Sequence, residues 1–235
     1  MKKVFIIYRS FFDMNGQNYT IGGIQTYIRQ LIDLFRKVGL QIIIVQFADI
    51  NFKKQINNDV VVYGIDVRKY KSVLKKSKVV LEFIREKYNP SDIIVFASED
   101  LYVPIKFTQK VVAIQHGITW DKPLEGKYYS KFMTLSMLRR HISSYKRIKR
   151  IRNLRHLVCV DYNFMNWYRT QVDGIQHNTY VIPNFTKINY TQIYREDDKV
   201  RLIFARRFEP YRGTRLFAKV AKQLLNKYEE LYITF

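Results

Sequence analysis

Short apolar runs rich in valine and isoleucine recur along the chain, and polar or helical stretches separate them. Runs of this length suit strands buried on both faces, as in parallel sheets covered by helices. We predict nine strands, over 4–8, 42–47, 60–65, 93–97, 111–115, 157–160, 180–182, 202–205 and 231–235. The interval between the second and third strands contains no such run and is predicted to be a polar loop.

Helical patterns fill most of the intervals between these strands. Apolar side chains at spacings of three and four residues predict helices over 24–38, 68–88, 128–155 and 216–225, with short helices after Ser98 and Asp161. Gly39 is placed to end the first helix, and Asp161 or Asn163 to cap the last short one. The alternation predicts an α/β fold, a Rossmann-like parallel sheet domain followed by the first β-α-β of a second such domain.

A polar, mixed-charge stretch over 187–199 has no core pattern and is predicted to be an interdomain linker. This gives a first domain over 1–186 and the opening of a second over 200–235. A β-α-β unit of this size is smaller than independent domains, which begin at roughly 50 residues. We therefore expect a C-terminally truncated fragment of a longer protein, or a last unit that docks on the first sheet as an edge extension.

The chain of 235 residues has a formal charge of +21, so its partners are expected to be anions. Nucleic acid, acidic lipid headgroups and phosphorylated small molecules all fit that expectation. The single cysteine, Cys159, excludes an internal disulfide and suits a reducing compartment. The first apolar run, 4–8, is closed by Arg9 and is too short for a signal peptide. We predict a cytoplasmic protein, at the inner face of the membrane if the basic helix described below contacts lipid.

The strongest candidate for chemistry is the strand-turn-helix segment over 200–216. The strand is followed by Arg206 and Arg207 and then by Arg212-Gly213, where the helical pattern begins. A helix start has unpaired backbone N–H groups, and arginines are good ligands for phosphate oxygens. The segment therefore predicts a phosphate or diphosphate site.

Two further elements are expected at the carboxyl ends of strands, where doubly wound sheets bind ligands. His116-Gly117 follows the fifth predicted strand directly, and Gly22-Gly23 opens the first helix after a loop of about a dozen residues. The alternatives are a histidine that satisfies a loop carbonyl and a glycine pair that forms a flexible turn.

The segment 131–155 is strongly basic, and no acidic residue lies between Glu125 and Asp161. Its apolar residues keep approximate helical spacing. A basic amphipathic helix of this kind can lie on an anionic membrane surface. A solvated outer face with a buried apolar stripe explains the same pattern.

These motifs together resemble those of retaining glycosyltransferases with the GT-B fold, of the large family numbered four, which includes enzymes of bacterial surface-polysaccharide and lipopolysaccharide biosynthesis. The pair Arg207 (or Arg206) and Arg212-Gly213 resembles the basic signature that holds the donor diphosphate in that family. Gly22-Gly23 resembles its cleft-facing glycine turn, and Gln115-His116-Gly117 resembles the strand end whose histidine contacts the donor sugar. Ile182-Pro183-Asn184 resembles a donor-side element, in which Phe185 stands in place of the usual glycine.

The resemblance implies transfer of a sugar from a nucleotide-sugar donor to a glycan or lipid-linked acceptor, with retention of anomeric configuration. It assigns His116 to the catalytic centre, Arg206, Arg207 and Arg212 to the donor diphosphate, Gly22 and Gly23 to the acceptor or phosphate loop, and Asn184 to the donor side. No cofactor or metal is expected beside the nucleotide sugar, and no nucleic acid. The alternatives are a basic nucleic-acid-binding protein, suggested by the charge, and an inactive truncated transferase domain.

Overall fold

The computed structural model describes residues 2–117, 133–172, 178–185, 200–204, 213–228 and 230–234. These residues belong to two compact units. The first contains 2–117 and the described part of 135–185, and the second contains 133–134 and the described part of 186–235. The predicted linker over 187–199 lies outside the described residues, so the proposed domain boundaries stay predictions.

The first unit has eight strands and four helices within the described residues. They are β1 (Lys3–Tyr8), α1 (Gly23–Lys37), β2 (Gln41–Ala48), β3 (Phe52–Asn57), β4 (Val60–Asp66), α2 (Val73–Lys87), β5 (Ile93–Phe96), β6 (Val111–Gln115), α3 (Met133–Ile151), β7 (His156–Cys159), α4 (Tyr162–Arg169) and β8 (Asn178–Val181). A short 3-10 turn over Glu99–Leu101 follows β5. The predicted α/β class is confirmed.

The eight strands form one sheet in the order β3-β4-β2-β1-β5-β6-β7-β8. Every neighbouring pair is parallel except β3 with β4. The chain first builds outward from β1 through β2 to β4, then crosses through α2 and continues from β5 to β8 on the other side. The direction of building therefore reverses between β1 and β5, which makes the carboxyl ends of these two strands the topological switch point.

The core explains why the central strands are so apolar. β1 is buried from Val4 to Tyr8, with Phe5, Ile6 and Ile7 at 0% exposure. Helix α1 covers the sheet with Tyr27, Ile28, Leu31 and Ile32, which recur at helical spacing. Each large apolar side chain that is fully buried contributes about 1.5–3 kcal/mol to stability, so the sheet centre is the main source of stability in this unit.

The prediction of a polar loop between the second and third predicted strands is wrong. β3 occupies this interval and pairs antiparallel with β4 through a two-residue loop. Its residues alternate between half-buried and exposed positions, as an edge strand with one covered face does. The ring of Phe52 packs so closely over Gly64 that a Cβ there would lie 2.1 Å from it. Lys53 and Lys54 interrupt the apolar pattern of β3, so the sequence does not show this strand as an apolar run.

The predicted ends of the elements agree with the structure at several positions. Gly39 adopts a φ of 72° directly after α1, a conformation that favours glycine. Asp161 caps α4, because its carboxylate accepts a hydrogen bond of 3.0 Å from the backbone N–H of Phe164. Helix α2 ends at Lys87, shortly before Pro90.

The second unit contains β9 (Val200–Ile203), α5 (Thr214–Leu225) and β10 (Leu231–Thr234). The two strands pair in parallel, so the segment is a β-α-β unit as predicted. Gly213 precedes α5 with a φ of 82°, and the rings of Phe204 and Phe217 lie 4.6 Å apart between the strand end and the helix. Arg206, Arg207 and Arg212 lie outside the described residues.

Candidate functional site

The carboxyl edge of the eight-stranded sheet collects most of the predicted site residues that the structure describes. His116 follows β6 directly, and Asn184 comes three residues after β8. Gly22 and Gly23 lie at the start of α1, which is the first helix after β1. Because parallel strands end on one edge, all four residues belong to the same side of the first unit.

His116 is half-buried, and its imidazole is oriented by the backbone. Nε2 lies 2.8 Å from the carbonyl oxygen of Ala97, which follows β5. A carbonyl can only accept, so Nε2 donates this hydrogen bond and Nδ1 is the acceptor nitrogen of the neutral ring. Burial lowers the pKa of His116 below its ordinary value, although the hydrogen bond to Ala97 opposes the shift. The site therefore holds a neutral histidine with a fixed ring orientation.

Tyr27 of α1 links His116 to the segment after β8. Its ring meets the imidazole edge-on, with centroids 5.2 Å apart and an interplanar angle of 85°. The same ring lies 5.9 Å from the ring of Phe185. We call Tyr27, His116 and Phe185 the histidine site. It joins three elements that are distant in sequence, and Phe185 takes part in it at the position where the resembling family has glycine.

The structure explains Gly22 and Gly23 only in part. A Cβ on Gly22 would lie 2.5 Å from the side-chain oxygen of Gln25, which is the end of a flexible side chain. A Cβ on Gly23 would meet no atom within 4 Å. Neither glycine is in the left-handed region that favours glycine, since Gly22 is extended, with a φ of 174°. Packing within the protein therefore does not require glycine at position 23, and both the flexible turn and the approach of a ligand stay open.

The structure gives less information on the residues that are predicted to bind the donor. Asn184 is exposed, and the structure shows no hydrogen bond of its side chain to the described residues. Arg206, Arg207 and Arg212 lie outside the described residues, so their role as diphosphate ligands stays a prediction.

A second group of polar residues at this edge was not predicted from the sequence. Arg9 follows β1 and forms an ion pair with Asp100, which lies in the 3-10 turn after β5. The neighbouring Glu99 is buried, and its carboxylate lies 3.6 Å from Arg147 of α3. The sequence signal that could have found this group is Arg9, a cation placed immediately after the central strand.

Burial is the largest single influence on the pKa values of the two carboxyl groups in this group. Burial raises the pKa of Glu99 to about 7, although the neighbouring Arg147 lowers it. Burial also raises the pKa of Asp100, but the Ser98 hydroxyl and Arg9 outweigh this effect and leave its pKa below the ordinary value. The pKa values of these two adjacent carboxyl groups are thus shifted in opposite directions.

Comparison with solved structures identifies a neighbour in fold. Trehalose-6-phosphate synthase OtsA matches with a TM-score of 0.62 at 9% sequence identity, over 100% of this chain and 66% of that chain. The chain has the α/β fold of a GT-B Rossmann-like half. It spans about two thirds of the length of that neighbour, and the likeness at this identity is one of fold. A second structure, described as "Trehalose-6-phosphate from E. coli bound with UDP-2-fluoro glucose", matches with a TM-score of 0.41 at 7% identity, over 71% of this chain and 42% of that one.

No protein-family model matches the sequence, and no curated protein matches it. Within the described ranges, none of the helices is both long enough and apolar enough to cross a membrane. The described residues also contain no group of three His, Cys, Asp or Glu side chains that could hold a metal ion.

Proposed function

We propose that this chain is part of a glycosyltransferase that moves a sugar from a nucleotide-sugar donor to a glycan or lipid-linked acceptor, with retention of anomeric configuration. The observation that supports this most directly is the fold likeness to trehalose-6-phosphate synthase over the whole chain. His116 follows β6 at the carboxyl edge of the sheet and its ring contacts Ala97 and Tyr27, which supports a role for this ring in substrate binding.

In the proposed reaction, the bond between the anomeric carbon and the leaving diphosphate oxygen breaks. The acceptor oxygen forms the new bond on the same face, and the leaving phosphate takes the acceptor proton. Arg207 (or Arg206) and Arg212 stabilise the charge that develops on the diphosphate, each contact contributing roughly 1.5–3 kcal/mol. His116 orients the donor sugar, Asn184 lies on the donor side, and Gly22-Gly23 lets the acceptor or a phosphate approach the backbone.

The flanking elements of the second unit support the diphosphate role. β9 ends at Ile203 and α5 begins at Thr214, so in the sequence the three arginines fall between a strand and the start of a helix. A helix start of this kind has unpaired N–H groups for anion binding. Gly213 at the N-cap of α5 has a left-handed conformation, which explains the glycine of the Arg212-Gly213 pair.

The surface of α3 supports contact with an anionic membrane, on the cytoplasmic face in the proposed setting of polysaccharide synthesis. Leu138, Ile142 and Tyr145 recur at helical spacing and are exposed by 56%, 45% and 66%. The same helix presents Lys146 and Lys149 to solvent. Exposed apolar residues beside cations suit a headgroup surface. Among the side chains of α3 that the structure describes, the buried ones are Ile148 and Ile151, at the C-terminal end of the helix.

The diphosphate assignment is tested by the variant Arg212→Ala in the full chain, with Lys219→Ala, an exposed residue of α5, as the matched loss of one charge. We expect UDP-, GDP- or ADP-sugars to raise the melting temperature of the parent chain, and sugar transfer or donor hydrolysis to fall about a hundredfold or more in Arg212→Ala. The control should retain both. The anomeric configuration of the product, determined by NMR, tests retention.

Undiminished transfer by Arg212→Ala would contradict the diphosphate role. Absence of any response to nucleotide sugars, together with steeply salt-dependent binding of random RNA, would favour the rival function of nucleic-acid binding.

A further inference from the structure

A cavity of about 440 Å³ opens at the topological switch point of the first unit. Arg9, which follows β1, and Asp100, in the turn after β5, lie on one side, and helix α3 contributes Arg139, Lys146, Arg147 and Arg150. We call this cavity the basic pocket. Its volume lies in the range of small-ligand sites, and the switch point is where doubly wound sheets bind ligands.

The pocket has a large excess of positive charge. Five cationic side chains and one carboxylate line it, and Glu99 beside Arg147 is the other acidic group packed against it. The carboxylate of Asp100 already forms an ion pair with Arg9 and accepts a hydrogen bond from the Ser98 hydroxyl. Among the described residues, Arg139 and Lys146 have no carboxylate partner. These two cations are available to an incoming anion.

Arg150, which also lines the pocket, has a side-chain donor that the described residues do not satisfy. Its Nε is buried and has no hydrogen-bond partner among the described residues, while its Nη2 lies 3.5 Å from the backbone oxygen of Asp100. Burial and the neighbouring charge of Arg147 lower the pKa of Arg150. A buried donor without a partner costs about 1–3 kcal/mol, so an anion that accepts from it would relieve a penalty already present in the protein.

The pocket is close to the histidine site. The segment from Ala97 to Asp100 contacts His116 at its first residue and Arg9 at its last. The backbone from Ala97 to Asp100 spans at most about 11 Å, so the two sites are neighbours on this edge of the sheet.

We propose that the basic pocket binds the phosphate or diphosphate group of an anionic acceptor. This inference rests on the proposed glycosyltransferase function and names the chemical class of its acceptor. Arginine guanidinium groups suit phosphate oxygens because they donate paired hydrogen bonds, and the cavity has room for one or two phosphate groups. A nucleic-acid strand would need a basic groove that continues along the surface, whereas these cations line one cavity of about 440 Å³. The phosphate belongs either to a soluble sugar phosphate or to a lipid headgroup.

The test compares two double variants of the full chain that lose the same charge. Arg139→Gln with Lys146→Gln removes the two pocket cations that lack a partner. Lys78→Gln with Arg152→Gln removes two exposed cations, one on α2 and one directly after α3, that do not line the pocket. Binding of inorganic phosphate and of pyrophosphate is measured by calorimetry at fixed ionic strength. We expect the pocket variant to bind about tenfold more weakly or worse, and the control to bind as the parent chain does.

Two further arms identify the source of the phosphate. A panel of hexose phosphates competes with inorganic phosphate if the acceptor is soluble. Vesicles containing phosphatidic acid bind better than vesicles of equal charge containing phosphatidylglycerol if the pocket takes a lipid phosphomonoester. In either case the pocket variant loses the preference and the control keeps it.

Equal loss of binding in both double variants, or no phosphate binding by the parent chain, would overturn the inference. The variant Arg212→Ala separates this result from failure of the proposed function. Phosphate binding that depends on Arg139 and Lys146 should persist in Arg212→Ala, because the proposed diphosphate site is a different one. If pocket binding persists and no nucleotide sugar is ever used, the proposed function fails and the pocket stands.

Discussion

The histidine site and the basic pocket lie on the same edge of one sheet, yet one is mainly aromatic and the other strongly charged. In both, burial is the largest influence on the key titratable group. It lowers the pKa of His116 and raises that of Glu99, so both groups shift toward their neutral forms. The comparison teaches that His116 and Glu99 are both shielded from water by the protein itself, and shielding of this kind strengthens electrostatic interactions near them.

The largest expected effect is on the pH dependence of stability, and it tests the charged side of this comparison. The carboxyl group of Glu99 has its pKa raised from 4.5 to about 7 by burial. The native state then binds more protons than the unfolded state between these values, so stability falls as pH rises from about 4.5 to about 7. The neighbouring charges that face it are those of Asp100, Arg147 and Arg150. The full loss is about 3 kcal/mol, since one pKa unit corresponds to about 1.4 kcal/mol.

Glu99→Gln should remove this loss and leave the melting temperature higher than that of the parent chain at pH 8. Glu82→Gln, at an exposed position of α2, should change the pH profile little. The measurement is chemical or thermal unfolding from pH 4 to pH 9. An unchanged pH profile in Glu99→Gln would show that Arg147 compensates for burial after all.

The second-largest expected effect is on sugar transfer, and it tests the histidine site. His116→Ala should lower kcat/KM for sugar transfer about a hundredfold, because an orienting group that is lost or misplaced costs on that order. This is about 2.7 kcal/mol of transition-state stabilisation. His141→Ala, at an exposed position of α3, is the matched control and should leave transfer unchanged. Phosphate binding in the basic pocket should be the same in both variants, and a loss there would mean that the two sites are not independent.

The two sites differ most in how far the sequence could predict them. His116 was predicted because it directly follows a strand, and the structure places it at the carboxyl edge with its ring held by Ala97. The basic pocket was missed because Arg9, Asp100 and Arg147 are far apart in sequence and meet only when β1, β5 and α3 pack together. The sequence shows the basic residues of α3, but it does not show that Arg9 and Asp100 line the same cavity.

The fold was predicted better than the sites because its signal is local. Strands such as β1 and β2 contain long apolar runs, since their successive residues are buried on both faces of the sheet. β3 was missed because it lies at the edge of the sheet and buries one face, so Lys53 and Lys54 interrupt its apolar pattern. The contacts of Phe185 with Tyr27 were also unpredictable, because they depend on the end of β8 reaching α1.

The smallest expected effect concerns Gly23, and it distinguishes the two explanations that sequence and structure leave open. A methyl group at this position would meet no atom within 4 Å, and the φ angle is not positive. Gly23→Ala should therefore leave the fold intact and stabilise it by up to about 1 kcal/mol, because alanine is the better helix former. If the turn is a plain flexible connection, sugar transfer should be unchanged. If a ligand approaches the backbone here, the added methyl group should raise KM several-fold while the melting temperature rises, because it occupies space that the protein itself leaves open. Measuring both quantities on one variant separates the explanations, since a merely structural glycine cannot give opposite changes in stability and substrate affinity.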